Sequence, residues 1–250
     1  MNIILFSGDP FFPRADGRYA HVKKVLRKGV GDEFRAGVEN GSEGTARITR
    51  MDDRGLAFEF TPDTPLRPLF PVSLLVGFPR PIQLKRLLRD AASLGCRSVA
   101  LCGTELGERS YLESSLSEPD TARQSLVEGC VQAGGTAIPE LTVHGSVAEA
   151  LAALGASGSR GSSAWGGRVL LDVAPPGTPS LLAAKLEPIG PDRPLLLAVG
   201  SERGWTADER ALFAEARFTV ASLGTRILRT ETAVTAALAL ALAKAGYLEG

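Results

Sequence analysis

Leu223-Gly224-Thr225-Arg226-Ile227-Leu228-Arg229-Thr230-Glu231-Thr232-Ala233 joins a short apolar strand candidate, 218–221, to an alanine- and leucine-rich helix. Such a junction has an ordinary reading: strand, glycine turn, threonine N-cap, helix. That reading gives no role to Arg226 and Arg229, three apart and interleaved with Ile227 and Leu228. Two cations beside an apolar pair at a helix N-terminus suit a loop that meets a polyanion and a flat organic ligand together. Residue types alone leave this open against a salt-bridged structural turn.

Working back from this stretch, strands alternate with helices. Strands are predicted over 74–78, 99–102, 168–173, 195–199 and 218–221, with helices over 82–94, 119–133 and 146–154 and an extended stretch over 136–141. Alternation of this kind argues for a mostly parallel sheet with helices on both faces. Gly155 to Gly167 (GASGSRGSSAWGG) reads as a flexible surface insertion. In an open α/β sheet, ligands bind where strands end at their carboxyl side. Three late turns collect unusual residues there: Asp172 to Gly177 (DVAPPG), Val199-Gly200-Ser201-Glu202-Arg203-Gly204-Trp205, and the opening stretch itself. Thr206 and Glu209 have the spacing of a capping box for the helix after the second turn.

Competing chemistries fail on spacing. No GxGxxG follows an early strand and no GxxxxGK[ST] occurs, so a nucleotide phosphate loop is not indicated. Ser201 lacks a GxSxG setting, which argues against a hydrolase. Cys96, Cys102 and Cys130 contain no CxxC pair and the chain has two histidines, so no zinc or other metal site is expected, and reduced buried thiols are.

Residues 1 to 70 read differently, as a small β-rich domain with strands predicted over 3–6, 34–38, 45–49 and 56–60. Turns at Asn40-Gly41, Asp52-Asp53 and Gly55 separate them, and the spacing suggests a small barrel. One helical segment, 21–28, places Val22, Val25 and Leu26 on one face and Lys23, Lys24, Arg27 and Lys28 outside. Six basic side chains between Arg14 and Lys28 face the single Asp16, forming either a solvated face or a phosphate-contacting patch. His21 reads as a packed or hydrogen-bonding histidine. Thr61 to Pro68 is a proline-rich link, Pro71 precedes the next strand, and the domain boundary is placed near residue 70.

Formal net charge is zero over 250 residues, so attraction to nucleic acid must come from local patches. The opening MNIILFSGDPFFPR has no basic region before its apolar residues, and no signal peptide is expected. The apolar run 233–243 is short of the roughly 20 residues that span a bilayer. A soluble cytoplasmic protein without a membrane partner is expected.

LGTRILRTETA resembles the last motif of the RsmE family. LLLAVGSERGWTADE is similar to that family's second cofactor loop, usually IGPEGGF with a following glutamate. RPIQLKRLLRDAASLGC with TELGERS is similar to PKG…QKATELGV…TERS, EGCVQAGG to EAAEQSGR, and HVKKVLRKGVGDEF to the N-terminal HL-x-VLR-x-x-x-GD pattern. Departures are Ser201 for proline, Arg203 for glycine, Arg80-Pro81 for Lys-Gly, Asp90 for lysine and Gly135 for arginine.

The resemblance implies an α/β fold: a SPOUT-type trefoil-knotted parallel sheet over 71–250, preceded by a small PUA-like β-barrel over 1–70 that helps bind RNA. It implies an S-adenosyl-L-methionine-dependent methyltransferase acting on N3 of a uridine in 16S ribosomal RNA of the small subunit, working as a homodimer. Cofactor contacts carried over are Leu171, Val199, Gly200, Glu202 and Gly204, with Leu223, Gly224, Ile227, Leu228 and Thr232 from the third loop. RNA contacts carried over are Arg18, His21, Lys23, Lys24, Arg27 and Arg80. Arg226 and Arg229 would grip phosphate or stabilise the anionic base. Glu231 orients Arg229 or caps its helix, or serves as general base. Arg203 would bind RNA or obstruct the loop. Two further readings stay open: the same fold and cofactor with another RNA target, and an RNA-binding protein that has lost catalysis.

Overall fold

The computed structural model describes residues 3–112, 119–156, 165–173 and 177–249. It contains two compact units, one of residues 1–68 with 127–138, the other of 69–126 with 139–250.

The first unit is built on β1 (Ile4–Phe6), β2 (Phe11–Pro13), α1 (Gly17–Ala20), β3 (Glu33–Val38), β4 (Glu43–Met51) and β5 (Gly55–Thr64). Its sheet runs β1-β3-β4-β5-β2, with β1 parallel to β3 and the other pairs antiparallel. The sheet curls: Phe6 on one edge strand and Phe12 on the other both pack on Phe58, at 5.1 and 5.0 Å between ring centres. Alternation in β4 sends Ala46 and Ile48 into this aromatic core and Arg47 out.

The predicted helix over 21–28 is a shorter and differently wound element. α1 begins at an Asp16 cap, a π-helical turn covers His21–Val25, and Arg27 sits at φ +54°. Val22 is fully buried, whereas Val25 is 65% exposed, so the expected shared apolar face does not form. The wider turn shifts the side-chain phase, which a 3.6-residue period misses. β5 also extends through Thr61–Thr64, part of the predicted link. β4 pairs with that segment from Glu43 to Thr45, a one-sided ladder that Pro62 does not block.

The second unit contains β6 (Phe70–Gly77), α2 (Pro81–Ser93), β7 (Cys96–Cys102), α3 (Arg109–Leu112), α4 (Pro119–Ala133, which spans the division between units), β8 (Glu140–His144), α5 (Val147–Ala153), β9 (Gly167–Leu171), β10 (Leu195–Val199), α6 (Ala207–Glu215), β11 (Thr219–Ala221) and α7 (Thr230–Lys244). Its strands form one sheet in the order β11-β9-β10-β6-β7-β8, every pair parallel. β6 begins at Phe70 and so includes Pro71, and the stretch predicted as extended over 136–141 becomes strand only from Glu140. Most of the insertion read over 155–167 and half of the DVAPPG turn fall outside the described residues, at 157–164 and 174–176.

Both faces of the sheet are covered, which is why β10 is buried at every position. Leu196 and Ala198 face a core shared with Leu151, Trp205 and Phe213 from α5, α6 and the loop before α6. α7 packs over β10 and β6 on α2. Val234, Ala237, Leu238, Ala241 and Leu242 form its buried stripe at helical spacing. α2 starts with Pro81 in its first turn and ends before Gly95 at φ +72°, as its sequence implies.

Candidate active site

Strand register brings three late loops side by side. Val199 pairs with Leu171, and Leu171 with Ala221, so β10, β9 and β11 end at one level. The loops that follow surround a cleft of about 130 Å³ at the carboxyl edge of the sheet. Leu171, Asp172 and Val173 line it from the first loop, and Gly200, Ser201, Glu202, Gly204 and Trp205 from the second. Residues 223–228 close the third side, with Thr230 and Ala233 of α7 beneath.

The second loop is a tight turn closed by the Gly204 N–H donating to the Ser201 carbonyl at 2.9 Å, with Gly204 at φ +71°. A Cβ at Gly200 would stand 3.0 Å from the Gly204 Cα, so a side chain there would push the two arms of the turn apart by a few tenths of an ångström. Ser201 is buried and shares a hydrogen bond with Thr104 at 3.2 Å. Glu202 accepts from the Arg80 backbone N–H at 2.9 Å, pinning this loop to the start of α2. Arg203 turns away from the cleft, toward the Leu106 carbonyl at 3.4 Å and Glu108 at 3.5 Å. It does not obstruct.

Beyond the turn, the capping box is complete: Glu209 N–H donates to Thr206 Oγ1 and Thr206 N–H to Glu209 Oε2. Glu209 also accepts from the Glu105 N–H at 2.9 Å. Trp205 stacks edge-on against Phe213 at 4.8 Å and is 2% exposed, yet its Nε1 has no hydrogen-bond partner. In the first loop, Arg210 holds Asp172 at 2.6 Å, and that bond raises the guanidinium above its ordinary range against opposing desolvation.

The third loop carries the residues singled out from sequence. Leu223, Gly224, Arg226, Ile227 and Leu228 line the cleft together with Leu171, Val199, Gly200, Glu202 and Gly204; Thr232 lies exposed on α7, outside the lining. Gly224 adopts φ +106°, which only glycine takes without strain. No described residue hydrogen-bonds to the backbone of 223–228. Ile227 is 83% exposed. Arg226 and Arg229 are exposed and form no ion pair with a described residue, so a salt-bridged turn is not what holds the loop.

α7 is capped by the extended backbone of Arg229, not by a threonine side chain. Thr230 instead donates to the Gly200 carbonyl at 3.3 Å, tying the third loop to the second. Glu231 is buried with its Oε2 unpartnered. It forms no ion pair with Arg229.

In the first unit, Arg18 is held by Asp16 at 2.6 Å, donates to the Leu5 carbonyl at 2.9 Å and lies 4.5 Å over Phe12. Its donors are used internally. Lys23 donates to the Tyr19 hydroxyl at 3.2 Å, while Lys24 and Arg27 are exposed. His21 is partly buried with Nε2 unpartnered, and Arg80 is exposed at the start of α2. Ser201, Trp205 and Asp172 lie in turns singled out from sequence without being named as site residues; the parallel register brings those turns around one cleft.

Comparison with known proteins agrees with this geometry. A family model described as an RNA methyltransferase domain matches residues 65–242, and one described as an RNA methyltransferase PUA domain matches 15–61. Ribosomal RNA small subunit methyltransferase E of Treponema pallidum is 41% identical over 256 residues, covering 98% of this chain and 92% of that protein. Ribosomal RNA small subunit methyltransferase E 1 of Borreliella burgdorferi is 27% identical over 251 residues, covering 98% of each. The crystal structure of ribosomal RNA small subunit methyltransferase E from Neisseria gonorrhoeae, bound to S-adenosyl methionine, shares the fold with a TM-score of 0.76 at 21% identity and covers 97% of each chain. The six-stranded parallel sheet is thus a SPOUT sheet and the curled sheet a PUA-like one. Matched along nearly its whole length by such a relative, and over most of it by the RNA methyltransferase model, the chain belongs to the RsmE family of SPOUT methyltransferases.

Proposed function

We propose that this chain methylates N3 of a uridine in 16S ribosomal RNA of the small subunit, with S-adenosyl-L-methionine as donor, in the cytoplasm. The observation that carries the reading is the third wall of the cleft: 223–228 meets no described hydrogen-bond partner and lies at the carboxyl edge of a parallel sheet. The residues present fit the cofactor. The cleft sets the apolar side chains of Leu171, Val199 and Leu228 beside the open backbone of 223–228, a mixture suited to a flat heteroaromatic ring. Trp205 adds a buried N–H without a partner.

When bound, S-adenosylmethionine supplies a methyl group that its sulfonium already makes electrophilic, so the protein's task is chiefly placement. Open N–H and C=O groups of 223–228 would hold the adenine and ribose, with Leu171, Val199 and Leu228 as apolar walls. Uridine N3 lies on the pairing edge, so the base must leave its stack to be reached. Exposed Ile227 offers that base an apolar platform. Arg226, unpaired at the rim, and Arg229 at the helix start favour the anionic base left when N3 gives up its proton. Arg203 points away from the cleft, which removes the reason for reading the chain as a binding remnant without catalysis.

The return of the chain from edge strand β11 to α7, over β10 and β6, supports the knotted topology. On α7, Ala236, Ala239, Leu240 and Ala243 are left partly or fully exposed, an apolar face suited to a second copy of this chain.

Calorimetric titration of the purified protein with S-adenosylmethionine tests the reading. Saturable binding, weakened by Gly224→Trp, is expected; absence of binding to folded protein would overturn it. Mapping modified uridines in ribosomal RNA from a strain lacking the gene then tests the target, since modification at another base or a ribose would move it.

A further inference from the structure

At the opposite edge of the same sheet, the amino-terminal ends of β9 and β11 border a second hollow of about 270 Å³. Arg168, Lys185, Arg193 and Arg217 line it, with Glu187 as the one acid in its wall. Among the described residues none of these cations has a carboxylate partner. That concentration of charge is unusual in a chain whose formal net charge is zero.

Arg168 is 7% exposed, and one terminal nitrogen is fixed by the Ala156 and Ala216 carbonyls at 2.9 and 2.6 Å. The same side chain lines the hollow. Burial and the neighbouring Arg217 charge both act against its ionised form, so the pocket is electrostatically short of an anion. Arg217 follows the end of α6 at φ +57°, a left-handed position where helices usually place glycine. A long cation kept in a conformation that disfavours it points to a use for its charge.

We infer that this hollow is a phosphate-binding site distinct from the methyl cleft, with Arg168 as its fixed donor and Arg217, Arg193 and Lys185 as its rim. Phosphate geometry suits guanidinium forks. β9 and β11 run from this site to the cleft, a span on the order of 10–15 Å at about 3.3 Å per residue. Assignment of the phosphate to an RNA backbone rests on the function proposed above; the phosphate chemistry does not.

The test compares the intact chain with Lys185→Ala/Arg217→Gly. Glycine adopts φ +57° freely, so this variant is expected to melt no lower than wild type and to bind S-adenosylmethionine equally. Two probes are used: inorganic phosphate, read as a rise in melting temperature, and a single-stranded oligouridine, read as binding against salt concentration. Phosphate stabilisation that is lost in the variant supports the site. A salt slope reduced by about 1 or more in the variant identifies the source as nucleic acid. Lost phosphate stabilisation with unchanged oligouridine binding keeps the site and makes free phosphate its ligand, even if the RNA reading fails. Identical behaviour of wild type and variant toward both probes would overturn it.

Discussion

Arg229 shows what one residue does here without stabilising the fold. Its side chain is exposed and unpaired, and only its backbone caps α7. Arg229→Ala is therefore expected to leave the melting temperature within error of wild type. Methyl transfer should fall by about tenfold or more, the scale of a lost transition-state charge contact. Unchanged turnover by the folded variant would remove its role. Asp16 illustrates the opposite case. Hydrogen bonding from Arg18, opposed by desolvation, holds its carboxyl below the usual range. Its folded-state value thus lies below the unfolded one of about 3.9, so the contribution is complete above that pH and disappears as pH falls through the depressed value. Asp16→Asn keeps a capping oxygen but not the charge. It should melt below wild type at neutral pH, with the gap closing in acid as the pH falls through the depressed value of Asp16. A gap that persists in acid would mean that packing, not charge, is responsible.

Among the elements, α6 couples the cleft to the core. Its capping box orders the loop carrying Gly200, Gly204 and Trp205, and Glu209 extends that order to Glu105. Thr206→Ala is expected to cost about 1 kcal/mol of stability, typical of a lost N-cap. Glu209→Ala should cost more, since it strands two backbone donors, Thr206 and Glu105, beside a buried site. Chemical denaturation of both variants checks the order, and an equal loss would show that the Glu105 bond contributes nothing. The signature of this box was legible in sequence because capping is local, read from residues three apart. The segment 21–28 was misread for the complementary reason. Its apolar spacing is compatible with a helix, but whether Val25 is buried depends on packing that a local period does not contain.

At the scale of the whole molecule, all three cysteines are buried, and burial, with a smaller contribution from Glu209, pushes the Cys102 thiol up. Thiolate is the reactive form, so native protein should resist alkylation at neutral pH. Labelling of Cys102 is expected to track unfolding of the parallel sheet, because β7 is paired on both sides. Fast labelling without loss of structure would show that β7 opens locally. Charge is a property of this scale too. A net charge of zero leaves RNA recognition to patches, and the basic stretch near the amino terminus is partly self-neutralised by the Arg14–Asp53 and Arg18–Asp16 pairs.

The sequence by itself determined the β-rich to α/β order along the chain, the capping box, the glycine turns at Gly204 and Gly224, and the late position of the three ligand loops. These follow from short-range sterics and hydrogen bonding, which neighbouring residues carry. The motif LGTRILRTETA also pointed to the family. Only the tertiary structure decided that β11 lies beyond β9 with β10 inside, which is what sets the three loops around one cleft. It also decided that Arg203 turns outward, that Arg18 is spent on Asp16 and Leu5, and that Arg168 and Arg217 share a hollow. Each depends on which distant segment occupies the adjacent space. Strand order in a parallel sheet is a long-range choice that no local spacing encodes.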